Sequence, residues 1–170
     1  KHHLERYVSS QVVDAIMKLD NGLALEPEKR YISILFSDIR GFTHLCELLD
    51  SSEIVTHLNT YFENMVDIIF AQQGTINKFV GDMIIALFGA PEYLANSEKY
   101  TVTAAIKMQQ WLKLSDYVWI KENFKTGIGI NSGKVVVGNI GSPKHIDYTA
   151  IGDEVNFCLL YTSPSPRDQR

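Results

Sequence analysis

Apolar residues along this chain switch between a helical period and short β-like runs, and the switching predicts the elements. Leu4, Tyr7, Val8, Val12, Ile16 and Leu19 fall on one helical stripe, which Asn21-Gly22 closes. Glu26-Pro27-Glu28-Lys29-Arg30 reads as a polar connector, and Tyr31-Ile32-Ser33-Ile34-Leu35-Phe36 as a buried strand. After the capping sequence Ser51-Ser52-Glu53, one helix face holds Ile54, Leu58, Tyr61, Phe62, Met65, Ile68 and Ile69, until Gly74 ends it. Thr75–Val80 and Met83–Phe88 flank Gly81-Asp82, a hairpin signal. Ser97 to about Leu114 forms a second amphipathic helix, with Val102, Ala105, Ile106, Met108 and Leu112 expected inward. Thr126–Ile130, Lys134–Val137 and Ile146–Ile151 are the remaining strand candidates. The glycine-containing stretches 129–133 and 138–141 read as hairpin and bulge chemistry.

The order is β-α-β-β-α-β with an added hairpin. That predicts an α+β fold of the ferredoxin-like, split βαβ kind, an antiparallel-rich sheet with helices on one face. Residues 1–25 are expected to be a helical connector that packs on the domain or pairs with a second copy, and 26–157 the folded domain. Residues 158–170 break the pattern. Cys158-Leu159-Leu160-Tyr161-Thr162-Ser163-Pro164-Ser165-Pro166-Arg167-Asp168 has two prolines and no period, and it resembles a translated sequencing-library adapter. A non-native, extended tail is expected there.

Composition narrows the function classes. A chain of 170 residues with 45% hydrophobic content can bury one real core. Its formal charge of −4 gives no basic surface for a nucleic-acid partner, and a polyanionic ligand would need metal ions or local donors. Cys46 and Cys158 form no CxxC pair, which favours a reducing, cytoplasmic compartment. No apolar run approaches the roughly 20 residues of a membrane span. The chain opens on Lys1, so it is expected to be a fragment, with room for a membrane tether upstream.

The chemistry-bearing candidates gather at strand ends. Asp38 closes the first predicted strand and Asp82 sits at the hairpin tip, and a split βαβ sheet makes those positions neighbours. Each alone is by default a turn residue. Two carboxylates brought together repel unless a cation joins them, and hard oxygen ligands suit Mg²⁺ or Mn²⁺. Ile39-Arg40-Gly41-Phe42-Thr43 runs from the strand end through a glycine into a helix start, a turn that can present backbone N–H groups to an anion. The plainer reading is a connection with Thr43 as N-cap. Lys78 and Thr149 lie on strands, and by physics alone neither stands out from an edge lysine or a β-forming threonine. Asn156 sits at an apparent helix entry, where capping is the default role. The five histidines show no ligand spacing.

These motifs together resemble the class III adenylate and guanylate cyclases. Phe36-Ser37-Asp38-Ile39-Arg40-Gly41-Phe42-Thr43 is similar to the family's first metal motif, and Asn77-Lys78-Phe79-Val80-Gly81-Asp82 to its second. Gly127–Gly133 and Asp147–Asn156 are similar to the third and fourth. The resemblance implies that Asp38 and Asp82 hold two Mg²⁺ or Mn²⁺ ions, with the Ile39 carbonyl as a further ligand. It implies that Ile39 to Thr43, with Gly81, lie on the triphosphate. Lys78 and Thr149 stand where the family reads the purine, and lysine there implies adenine. Asn156 matches the residue that orients the ribose. The implied reaction is cyclisation of ATP to cyclic AMP with release of pyrophosphate. It implies a homodimer, metals from one chain and base-reading residues from the other, beneath an upstream sensory domain. One departure opposes turnover. Four positions past Asn156, where the family carries a transition-state arginine, this chain has Leu160. That leaves a cyclase-homology module that binds without turnover as the alternative, and predicts that the chain as it stands is inactive.

Overall fold

The computed structural model describes residues 26–142 and 145–156. The expected N-terminal helix and the expected foreign tail lie outside these residues. The first strand, β1 (Glu28–Ile39), is followed by α1 (Phe42–Leu48), α2 (Ser51–Ala71), β2 (Thr75–Val80), β3 (Met83–Phe88), α3 (Ser97–Leu114), α4 (Val118–Asn123), β4 (Thr126–Ser142) and β5 (His145–Ile151). The sheet order is β2-β3-β1-β4-β5, with every neighbouring pair antiparallel. Each β-α-β unit thus skips one strand. That is the split βαβ topology expected from the sequence, extended by β5.

The central strand explains why β1 reads as a continuous apolar run. Leu35 and Ile39 face α2, α3 and α4 in one core cluster with Tyr61, Met65, Met108 and Phe124. Ile32, Ile34 and Phe36 face the other way, into a second cluster with Ile85, Leu87, Val135 and Val137. A strand buried on both faces has no solvent-facing positions to alternate with, and its polar Ser33, Ser37 and Asp38 are buried as well. Each such Ile or Phe contributes about 1.5–3 kcal/mol by burial, so β1 is the least expendable element.

Several expectations shift in detail. The predicted strands Thr126–Ile130 and Lys134–Val137 are one 17-residue strand, and residues 129–133 pair with β1 from Phe36 to Ile32 instead of turning. The cap of α2 is Asp50, whose carboxylate accepts from the Ser52 N–H at 3.1 Å. The inward stripe of α3 runs Ser97, Thr101, Ala104, Met108 and Leu112, while Val102 and Ile106 are 46% and 53% exposed. Its first residue, Ser97, is polar yet buried because its hydroxyl meets Ser33 at 2.9 Å, and Ser33 meets Ser132 at 2.7 Å. Mutually satisfied hydroxyls can replace apolar groups at little cost, and an apolar-stripe rule does not see them. The short helix α4 has no counterpart among the expected elements.

Candidate active site

Two turns meet at one end of β1. Gly81 and Asp82 join β2 to β3, with Val80 opposite Met83 and Gly81 at φ +59°, the left-handed region that favours glycine. The turn is fastened to β1, since the Ile39 N–H donates to Asp82 Oδ2 at 2.7 Å. Asp38, the residue before, is only 8% exposed. Its Oδ1 is buried with no hydrogen-bond partner, and its nearest counter-charge is Arg40 Nε at 3.9 Å, too far for a hydrogen bond. Burial holds the Asp38 carboxyl above its ordinary pKa; Arg40 opposes the shift and Asp82 adds to it. Asp82 is therefore near enough to be felt as a like charge.

The turn after Asp38 is held on both sides. The Arg40 N–H donates to the Lys125 carbonyl at 2.7 Å, tying the turn to the start of β4. Gly41, at φ +68°, is the N-cap residue of α1, so Thr43 is an exposed residue inside the helix and not its cap. Phe42 packs edge-on to Phe124 with ring centroids 6.3 Å apart. Its side chain anchors the turn to the core, leaving only its backbone to the mouth.

Beneath the turn, on the helix side of the sheet, lies Tyr61. It is fully buried, its hydroxyl is 3.3 Å from Thr126 Oγ1, and Thr126 pairs with Ile39 across the strands. Burial pushes its pKa up to about 12, with smaller upward contributions from Asp82 and Asp38. Sequence reasoning placed Tyr61 on a core face, and nothing in the local pattern marks it as lying under two carboxylates.

The remaining candidates are dispersed. Lys78 is exposed on β2, opposite Ile85 and beside a bulge at Asn77, whose Oδ1 is buried without a partner. Thr149 is on β5, opposite Gly138. The two therefore occupy opposite edge strands of the sheet. Asn156 is exposed in a helical turn at 153–156, its N–H donating to the Gly152 carbonyl at 3.2 Å. Among the described residues no group of three His, Cys, Asp or Glu side chains is placed to hold a metal ion. Nor is any described helix long and apolar enough to cross a membrane.

The family model for the adenylate and guanylate cyclase catalytic domain matches residues 25–167. The crystal structure of the guanylyl cyclase Cya2 is 40% identical with a TM-score of 0.75, covering 82% of this chain and 72% of that one. The adenylyl cyclase CyaB from P. aeruginosa is 35% identical at the same TM-score, with coverage of 82% and 74%. Rv1320c of Mycobacterium tuberculosis is 35% identical over 129 residues, 76% of this chain but 22% of its own length. The chain thus spans about a fifth of that relative. With the split βαβ sheet and the paired turns at the end of β1, these likenesses establish that the chain belongs to the class III adenylate and guanylate cyclase catalytic domain family.

Proposed function

We propose that this chain is the catalytic domain of an adenylate cyclase, converting ATP to 3′,5′-cyclic AMP and pyrophosphate with Asp38 and Asp82 as ligands of two divalent cations. The observation that carries the reading is the buried, donor-less Oδ1 of Asp38 beside a second carboxylate fastened to the next residue. A buried carboxylate oxygen without a donor costs stability unless a cation reaches it. Oxygen ligands suit Mg²⁺ or Mn²⁺, and with only two carboxylates the rest of the shell falls to the Ile39 carbonyl, water and substrate phosphate. Bound there, the ions would lower the pKa of the ATP 3′-hydroxyl and offset charge on the phosphates.

The chain's own residues bind and orient. Ile39, Arg40, Gly41, Phe42 and Thr43, with Gly81, form the cradle for the triphosphate, through the backbone N–H groups of Gly41, Phe42 and Thr43 at the start of α1 and the Arg40 cation, while the Ile39 and Arg40 N–H groups hold the turn in place. Lys78 donates to adenine N1, Thr149 is its companion, and Asn156 orients the ribose; these three roles rest on the motif resemblance. Because one chain carries both sets, a homodimer with two equivalent shared sites follows. The length of the relative supports a larger protein, and an upstream sensory domain in it rests on the motif resemblance alone. For the 170-residue chain itself, Leu160 in place of the family's arginine favours nucleotide binding without turnover. Leu160 lies outside the described residues.

The test replaces residues from 157 onward with the matching segment of a family member and supplies Mn²⁺ with ATP. Cyclic AMP should form, and Asp38→Ala and Asp82→Ala should each abolish it. Formation of cyclic AMP that survives both substitutions sinks the two-carboxylate reading; formation of cyclic GMP alone, from GTP, sinks the adenine assignment.

A further inference from the structure

Gly127 belongs to a glycine-rich motif to which the proposed mechanism gives no role. It sits opposite Asp38, on β4 against β1, so both face the same side of the sheet. One side chain covers the pair. A Cβ built at Gly127 would lie 2.8 Å from Arg40 Cζ and Nε, inside contact distance, and still closer to Nη2. The same guanidinium holds Nε 3.9 Å from Asp38 Oδ1. The bare backbone of Gly127 is therefore a ledge on which Arg40 rests while it faces the carboxylate.

The Arg40 backbone is fixed by its bond to the Lys125 carbonyl, but its side chain is 55% exposed and makes no hydrogen bond to Asp38. A half-exposed ion pair at that distance is weak. It is also aimed at Asp38 Oδ1, a buried oxygen that no donor reaches. We propose that Arg40 is a displaceable counter-ion, seated on Gly127 over Asp38 Oδ1 in the metal-free chain, so that a divalent cation must compete with it for that oxygen. This rests on Asp38 being a metal ligand. It gives Gly127 a purpose: a side chain there would push the guanidinium off its seat over Asp38. Arg40 thereby raises the cation concentration at which the site fills.

Mn²⁺ alone, titrated into the chain while free Mn²⁺ is read by electron paramagnetic resonance, tests this without turnover. Arg40→Gln should tighten Asp38-dependent Mn²⁺ binding about three- to tenfold, the scale of losing a nearby unit charge at a partly exposed site. Arg40→Lys keeps a cation and should lie near the original chain. Gly127→Ala is the sharper variant, because it retains the arginine's charge and removes only its seat; it too should tighten binding. Far-UV circular dichroism checks that the sheet survives it, and if it does not, Arg40→Gln decides alone. Unchanged or weaker binding in Arg40→Gln overturns the inference, and so does tightening there with none in a folded Gly127→Ala. If Asp38→Ala binds Mn²⁺ as well as the original chain, the metal-site reading falls and this inference with it.

Discussion

The Ile39 N–H donates to Asp82 Oδ2 across 2.7 Å, so the hairpin turn hangs from the end of the central strand by a carboxylate that is also a candidate metal ligand. One bond sets both the geometry of the turn and the spacing of the site. Removing it has two separable effects. Asp82→Ala leaves a buried N–H without its charged acceptor and should cost about 1.5–3 kcal/mol in urea unfolding without metal. Asp82→Asn keeps an acceptor oxygen and should cost less, yet it should lose Mn²⁺ binding as fully as alanine does. Equal stability of all three chains would show that the turn does not depend on this bond.

Asp38 opposes the fold when ionised. Its folded pKa is raised above the ordinary 3.8, first by burial and then by Asp82, with Arg40 pulling the other way. A carboxyl raised on folding contributes stability that is fully present below its unfolded pKa and is lost as pH rises through the folded one. Metal-free stability should therefore carry a component that declines with rising pH across that window. Asp50 and Glu98, whose carboxyls are held below their usual range by Ser52 and Tyr31, contribute in the opposite sense. The measurement is thus the difference between the chain and Asp38→Asn by thermal unfolding. The Asp38→Asn variant should lack the declining component, and saturating Mn²⁺ should remove it from the original chain alone. A difference that does not change with pH would show that the Asp38 carboxyl is not raised by the fold.

Topology was legible because two helical stripes, a Gly-Asp turn and a buried apolar run leave few ways to close one sheet. Asp38 and Asp82 became neighbours on paper for the same reason. What the pattern could not carry were contacts at right angles to the chain. Arg40 on Gly127, Tyr61 beneath Thr126, and the Ser33, Ser97 and Ser132 hydroxyls are each set by strand register and helix docking. Glycines 129 and 133 misled in the other direction. They read as breakers, but pairing with β1 keeps them extended, and Gly133 leaves space that the Glu154 side chain fills.

Tyr61 separates ring from hydroxyl. Its ring meets Phe124 edge-on at 5.5 Å inside the helix-side core, while its hydroxyl touches Thr126. Tyr61→Phe should cost about 1 kcal/mol, since Thr126 keeps a second acceptor in the Phe124 carbonyl at 3.4 Å. Tyr61→Ala should cost about 3–5 kcal/mol through the cavity left. Chemical denaturation of both variants checks the ratio; similar losses would mean that the hydroxyl and not the packing dominates.

Position 160 carries leucine where the family resemblance expects an arginine. A missing cationic donor at a developing phosphate charge costs roughly 10²–10³ in rate. The chain as it stands should yield cyclic AMP at no more than about a hundredth of the rate of one carrying a family C-terminal segment. Comparable rates in a Mn²⁺-ATP assay would show that residues 158–170 do not disable the site.

Base choice turns on hydrogen-bond polarity at one atom. Adenine N1 is an acceptor, which the Lys78 ammonium can donate to; guanine N1 carries a hydrogen, so a lysine facing it leaves two donors opposed. Lysine has no acceptor to offer in exchange. An unmatched pair of this kind costs about 1–3 kcal/mol, or roughly 5- to 150-fold in specificity. The chain with a restored C-terminal segment should therefore prefer ATP to GTP within that range. Lys78→Glu supplies an acceptor for guanine N1 and repels nothing on guanine's own donors, so it should collapse or invert the ratio of kcat/KM values. The likenesses to known cyclases leave this choice open, since a guanylyl cyclase is 40% identical and an adenylyl cyclase 35%. Equal turnover of both nucleotides by the restored chain, or a ratio indifferent to Lys78→Glu, would remove Lys78 from the base site. Because Lys78 is exposed on an edge strand, that substitution should leave the unfolding midpoint nearly unchanged, which keeps a change in specificity from being mistaken for a change in stability.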